Sequence, residues 1–175
     1  MSCQVSDQFS EFQGKIASPA LREVAEYWQS VRAGRAMPAW ADLSPSRLAP
    51  HLKLMWFFKY DRGTKEFTAR MASNRAMLGF QQSFRGTPLK DIHPSHIFAL
   101  SQAHMTKVVC DPAAYYCSGD LFKVGSQAFE GERIMLPLAS DHRHGDGVLG
   151  ATDFPMRPAE GDVELLVGQI EWFAV

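Results

Sequence analysis

The chain is expected to fold as an α+β protein: a five-stranded antiparallel sheet with helices packed on one face and an amphipathic helix at its N-terminal side. Two observations lead there. The stretches Glu132 to Leu138 and Gly147 to Phe154 read as consecutive strands, joined by the polar segment Ser140 to Asp146. Two further strand patterns, short helical patterns and one longer helix precede them. Strands, then helices, then strands again is the order of an α+β domain.

Residues 1–17 are polar with isolated Phe9, Phe12 and Ile16, and read as a loosely ordered lead-in. Residues 18–175 read as one domain, with a flanking helix over 18–34 and a core over 35–156. Ser18-Pro19 offers an N-cap followed by proline at the first helical position. Leu21, Val24, Ala25, Trp28 and Val31 then recur at helical spacing, with Arg22, Glu23, Glu26, Gln29 and Arg32 opposite them. Gly34 is the natural stop.

Met37-Pro38-Ala39-Trp40 reads as an extended connector, and Ser44-Pro45 opens a short helix through Leu48. Leu54 to Tyr60 is aromatic and strand-like, and Asp61-Arg62-Gly63 is a turn signal. Phe67 to Ala72 alternates, with Phe67, Ala69 and Met71 on one face. Ser73 or Asn74 caps a short helix over Arg75 to Leu78, ended by Gly79. Leu89 to Ile92 is a further turn, and His93-Pro94 starts the longer helix, which Asp111-Pro112 stops near Val109. Tyr115 to Lys123 and Gln127 to Leu138 read as long strands around Gly125-Ser126. The apolar segment 162–175 is ambiguous between helix and strand, and helix is favoured.

Composition excludes several classes. With 46% apolar and 21% charged residues the chain is ordinary globular protein. At 175 residues it buries enough surface to need no disulfide or metal staple. A formal net charge of −1 removes the electrostatic argument for nucleic-acid binding. No stretch approaches the ~18 consecutive apolar residues of a membrane span. Cys3, Cys110 and Cys117 are an odd number without CxxC spacing, and the first residues lack a secretory pattern, so a cytoplasmic location is expected.

In the order of its parts the chain resembles the PAS fold, and specifically a single-domain PAS-like family common in alphaproteobacteria. The resemblance rests on the tryptophan-bearing first helix (Trp28), Met37-Pro38, Ser44-Pro45-Ser46-Arg47-Leu48, and the strand arginine Arg70. It continues through Gly79, Arg85-Gly86-Thr87-Pro88-Leu89, the run Glu132 to Leu138, and Val148-Leu149-Gly150. One departure is Ala72-Ser73-Asn74, where the family usually carries a glycine. The resemblance implies a pocket between sheet and helices, a sensory or partner-binding role, and no enzymatic activity.

Within such a pocket, Arg70 is a candidate partner for an acidic ligand, since its fork suits a carboxylate; the alternative is a surface residue or an ion pair with Glu132. Trp56, Phe57, Phe58, Met71, Met105 and Met135 are candidate core or lining residues. His104 shares the aliphatic helix face of Ile97, Leu100 and Val108, and is a candidate haem ligand or a neutral core-edge histidine. A flavin stays open as a cofactor, since no motif decides it, although 75–79 holds no photoactive cysteine. His93 and His96 fall in a first helical turn, as cap region and exposed position. His142, His144 and Asp146 offer metal-ligating atoms, although hairpin loops favour the same residue types. Cys110 and Cys117 have no neighbouring base in sequence, and no phosphate loop or nucleophile elbow is present.

These readings give a non-enzymatic sensor that binds a small molecule or a protein and relays the signal in trans. The partner would be a second copy of the chain or a signalling protein, engaged through Leu21, Val24, Trp28 and Val31, a stripe that reads equally well as a plain core-covering face. A metal-dependent enzyme using His142, His144 and Asp146 is one alternative; a structural adaptor with a filled core is the other.

Overall fold

The computed structural model describes residues 2–72, 84–93, 95–154 and 163–175, with the backbone alone for residues 2–7, 96 and 163. Its sheet starts with the aromatic strand β1, Met55–Asp61, which turns through Asp61 into β2, Glu66–Ala72. The Asp61 carboxylate accepts hydrogen bonds from the backbone N–H groups of Gly63 and Thr64, the local bonding that makes Asp a turn residue. β3 (Ala113–Val124), β4 (Gln127–Leu138) and β5 (Gly147–Asp153) follow. The order across the sheet is β2-β1-β5-β4-β3, antiparallel throughout.

The hairpins and the long strands lie where the sequence puts them; the C-terminal segment does not. In place of a helix it forms β6 (Val163–Leu165) and β7 (Gln169–Ala174), both antiparallel to β3. The sheet therefore has seven strands among the described residues rather than five. The reason is local: Ile170 and Trp172 pack on one sheet face and Phe173 on the other, an alternation that suits an edge strand and no helix stripe. Gly168, between the two strands, lets the backbone run close against β3, because a Cβ there would lie 2.1 Å from the Ser118 carbonyl oxygen.

The lead-in is also ordered. It forms α1, Ser2–Lys15, whose Phe9 and Phe12, like Ile16 just beyond it, are 0–1% exposed. Their i, i+3, i+7 spacing is a helical stripe in an otherwise polar segment. Phe9 stacks on Trp28 at 5.3 Å between ring centroids, and Phe12 meets Phe173 at 5.6 Å. α2, Pro19–Arg32, starts as read: Ser18 Oγ accepts from Leu21 N–H, and Ala33 and Gly34 leave the helix with left-handed backbone.

Helices cover both faces of the sheet, not one. Met55, Phe57, Tyr116, Ile134, Leu136 and Leu149 pack with α1 and α2. Trp56, Phe58, Tyr115, Met135 and Val148 pack with α4 (Leu89–Ile92) and α5 (Ser95–Cys110). Runs such as Met55–Phe58, Ala113–Cys117 and Ile134–Leu138 are buried at every position, as strands covered on both sides must be. Between α2 and β1 lie α3, Pro45–Leu48, and two 3-10 turns, Trp40–Asp42 and Ala49–Leu54. The expected cap and helix over 73–79 lie outside the described residues.

Candidate functional site

The two faces of the sheet differ in chemistry. On the α1/α2 face, Leu21, Val24 and Trp28 are 0% exposed and the Trp28 indole N–H donates to the Pro137 carbonyl at 2.9 Å. Val31 packs at the margin of the same cluster. The Leu21-Val24-Trp28-Val31 stripe is thus core rather than a docking surface, which decides between the two readings that helical spacing left open. A helix face looks the same in sequence whether the sheet beneath it or a partner covers it.

Arg70 is not in the space under α5. A β-bulge sets Phe57 opposite Met71 but Phe58 opposite Ala69, leaving Arg70 as the extra residue of β2. The bulge breaks the two-residue alternation, so Met71 leaves the side of Phe67 and Ala69 and packs with the α1/α2 cluster. Arg70 is exposed, with its guanidinium 5.2 Å from the Trp40 ring centroid. Glu132 is not its partner: that carboxylate accepts from Ala17 N–H, Ser18 N–H and the Tyr116 hydroxyl, tying the start of α2 to β4.

Trp56, Met105 and Met135 do meet on the α5 face, together with half-buried His104. The buried stripe of α5 runs through Met105, Val108 and Val109, while Leu100 is 38% exposed, so His104 sits at the stripe's edge. Its ring lies 5.4 Å from Tyr115 and 5.8 Å from Trp172, centroid to centroid. Burial and the charges of Arg133 and Lys107 push its pKa down, which favours the neutral imidazole. These surroundings do not fit a haem: two aromatic rings already engage the imidazole, and two cations stand near it in place of an apolar slab.

Two further residues of this face, Arg133 and His93, were not among the pocket candidates. Arg133 on β4 is half-buried, paired in register with Cys117 of β3 and Thr152 of β5. Its Nε donates to Thr152 Oγ1 at 3.2 Å, and the same oxygen accepts from the Trp56 indole N–H at 3.1 Å. His93, ahead of α5, is half-buried, and burial with the Arg133 charge brings its pKa to about 4. No alternation singles out Arg133, because Ile134 to Leu138 beside it are buried at every position. The side chain of His96 lies outside the described residues.

The loop candidates for a metal go separate ways. His142 Nε2 lies 2.8 Å from both Asp42 Oδ2 and Arg35 Nη1, within an Arg35–Asp42–His142 cluster. His144 Nδ1 pairs with Asp141 Oδ2 at 2.6 Å, and Asp146 Oδ1 accepts from Ser140 N–H. Among the described residues no three His, Cys, Asp or Glu side chains are placed to hold a metal ion. Cys110 is exposed and Cys117 buried, both unbonded to another cysteine. No helix among the described residues is long and apolar enough to cross a membrane.

The family model for the PAS domain matches residues 16–153. The chain belongs to the PAS domain family. The matched stretch runs from the end of α1 through β5, so α1, β6 and β7 lie beyond it. Among curated proteins and among solved structures, none matches this PAS domain. The family is of a sensory and signalling type.

Proposed function

We propose that this PAS domain is a non-enzymatic sensor that binds a small molecule between α5 and the sheet. One observation carries the reading: half-buried polar side chains without a partner among the described residues gather on one face of the sheet. On the α1/α2 face the polar Glu132 is already bonded to Ser18 and Tyr116. The α5 face holds half-buried Arg133, His93 and His104 among aromatic and methionine side chains. A mostly apolar surface with a few convergent polar groups is the usual make-up of a small-molecule site.

Relay to the opposite face runs through β7. Its Trp172 touches His104 and Tyr115 on the ligand side, while the adjacent Phe173 touches Phe12 of α1. A ligand that moves Trp172 acts on the seat of α1, and unequal affinity for two positions of β7 is what shifts their populations. The signal then passes in trans to a second copy or to another protein.

Native mass spectrometry of the purified protein, with an absorbance spectrum from about 300 to 700 nm, is the first test, since any ligand selective for the folded state also stabilises it. A co-purified small-molecule mass, displaced by substitution on the α5 face, supports the reading. A bare chain whose melting temperature no small molecule shifts sinks it and leaves a protein-interaction module.

A further inference from the structure

The binding reading can be made chemically specific. We infer that Arg133 receives the carboxylate of a small aromatic or aliphatic acid, whose apolar body lies against Trp56, Met135 and Trp172. The inference rests on the small-molecule reading above and deepens it.

The geometry comes first. Arg133 stands on β4 with its side chain on the α5 side, anchored through one nitrogen: Nε donates to Thr152 Oγ1. That bond leaves Nη1 and Nη2, which have no hydrogen-bond or ion-pair partner among the described residues. A guanidinium held at Nε and open at its two Nη atoms presents the end of its fork, the geometry that takes a carboxylate with two parallel bonds. Thr152 is itself fixed by the Trp56 indole, so the anchor is rigid.

The neighbours point the same way. The imidazoles of His93 and His104 also lack a hydrogen-bond partner among the described residues, although both are half-buried. Polar groups withdrawn from solvent are normally paired, and on this face two imidazoles and the two Nη atoms of Arg133 find no partner among the described residues. A neutral imidazole has one N–H to give, so each histidine can donate to an anion while adding no charge of its own. Several other arginines have protein partners: Arg35 binds Asp42, Arg62 the Gly145 carbonyl, and Arg22 the Ile16 carbonyl.

The apolar surroundings select the rest of the ligand. Trp56 is 8% exposed, Met135 4% and Met105 3%, and Trp172 stands edge-on to Tyr115 at 5.0 Å. Such a lining favours an acid with a compact apolar body over a polyanion, which would need more than one cation. Lys107 is drawn off at the rim, its Nζ 4.4 Å from the Trp172 ring centroid.

The test uses full-length protein and defined probes: benzoate, phenylacetate and 3-phenylpropionate, the neutral amide of each, and inorganic phosphate. Binding is read by isothermal titration and by the shift in melting temperature, for wild type, Arg133→Gln and Arg133→Lys. The expected result is that at least one carboxylate binds wild type and its amide binds at least tenfold more weakly. Arg133→Gln removes that preference, and Arg133→Lys, which keeps the charge but loses the fork, weakens the carboxylate severalfold while remaining folded. Acid and amide binding equally well would overturn the carboxylate assignment and leave the small-molecule reading standing. Phosphate binding without the carboxylates would overturn it too. If no probe of either kind binds wild type, the carboxylate assignment falls, and the small-molecule reading stands or falls with the co-purified mass.

Discussion

The indole of Trp56 lies over the backbone of Gly150, its partner in the β1–β5 register, so closely that a Cβ there would sit 2.2 Å from two ring carbons. The missing side chain is what lets the indole lie flat across β5 and reach Thr152. Gly150 is therefore part of the arrangement that holds Arg133, two strands away from β1.

Gly150→Ala is expected to cost about 1–3 kcal/mol, the range for overpacking a filled core. The ring must leave its seat, and Thr152 then loses the indole donor. Urea denaturation followed by tryptophan fluorescence measures both effects. An unchanged midpoint with an unchanged emission maximum would show that the ring has room the structure does not give it.

The buried phenylalanines of α1 make a second prediction. Phe12 is 0% exposed between Phe9 and Phe173. Phe12→Ala is expected to destabilise the protein by about 3–5 kcal/mol, the usual range for a buried phenylalanine. Glu11→Ala, on the exposed side of the helix, is expected to cost little. Thermal melts of the two variants check the contrast. Equal, small losses would mean that the segment is the loose lead-in its polarity suggests.

That segment shows where sequence reading stops. The Ser18-Pro19 start, the Asp61 turn and the strands from Ala113 to Asp153 are legible because local chemistry decides them: a cap, an Asx turn, apolar runs. Phe9, Phe12 and Ile16 were visible, but only the sheet opposite tells that they are buried. The same holds for the site. Trp56, Met105, Met135 and His104 were picked by type and meet on one face, whereas Arg70 was placed by an alternation that the bulge beside it interrupts. Arg133 went unnoticed because a strand arginine is ordinarily solvent-facing, and its strand is covered on both sides.

Glu132 holds the entry of α2, and its removal has a defined signature. The carboxylate accepts from Ala17 N–H at 2.9 Å, from Ser18 N–H at 2.5 Å and from the Tyr116 hydroxyl. Burial and this bond raise the Tyr116 pKa to about 12. Glu132→Ala strands three donors and is expected to cost about 1–3 kcal/mol, as for a partly buried group left unsatisfied. Glu132→Gln turns one acceptor into a donor that faces donors, so it is expected to recover only part of the loss. Amide exchange at the first turn of α2 is the readout. Protection there equal to wild type in Glu132→Ala would refute the latch.

His93 makes stability depend on pH in a definite direction. Its folded pKa is about 4, pushed down by burial and then by the Arg133 charge, against about 6.5 for an unfolded histidine. Between those values the unfolded chain binds the proton and the folded chain does not, so stability rises with pH in that window. The contribution is fully present above about pH 6.5, and it is lost as pH falls towards 4. Carboxylates titrate near the lower end in both wild type and any variant, so the comparison has to be differential. His93→Gln, neutral at every pH, is expected to flatten the dependence between pH 6.5 and 4 relative to wild type. Denaturation midpoints at half-unit steps across that window measure it. Parallel curves for the two proteins would mean that His93 takes up its proton in the folded state as easily as in the unfolded one, and so is not held neutral beside Arg133.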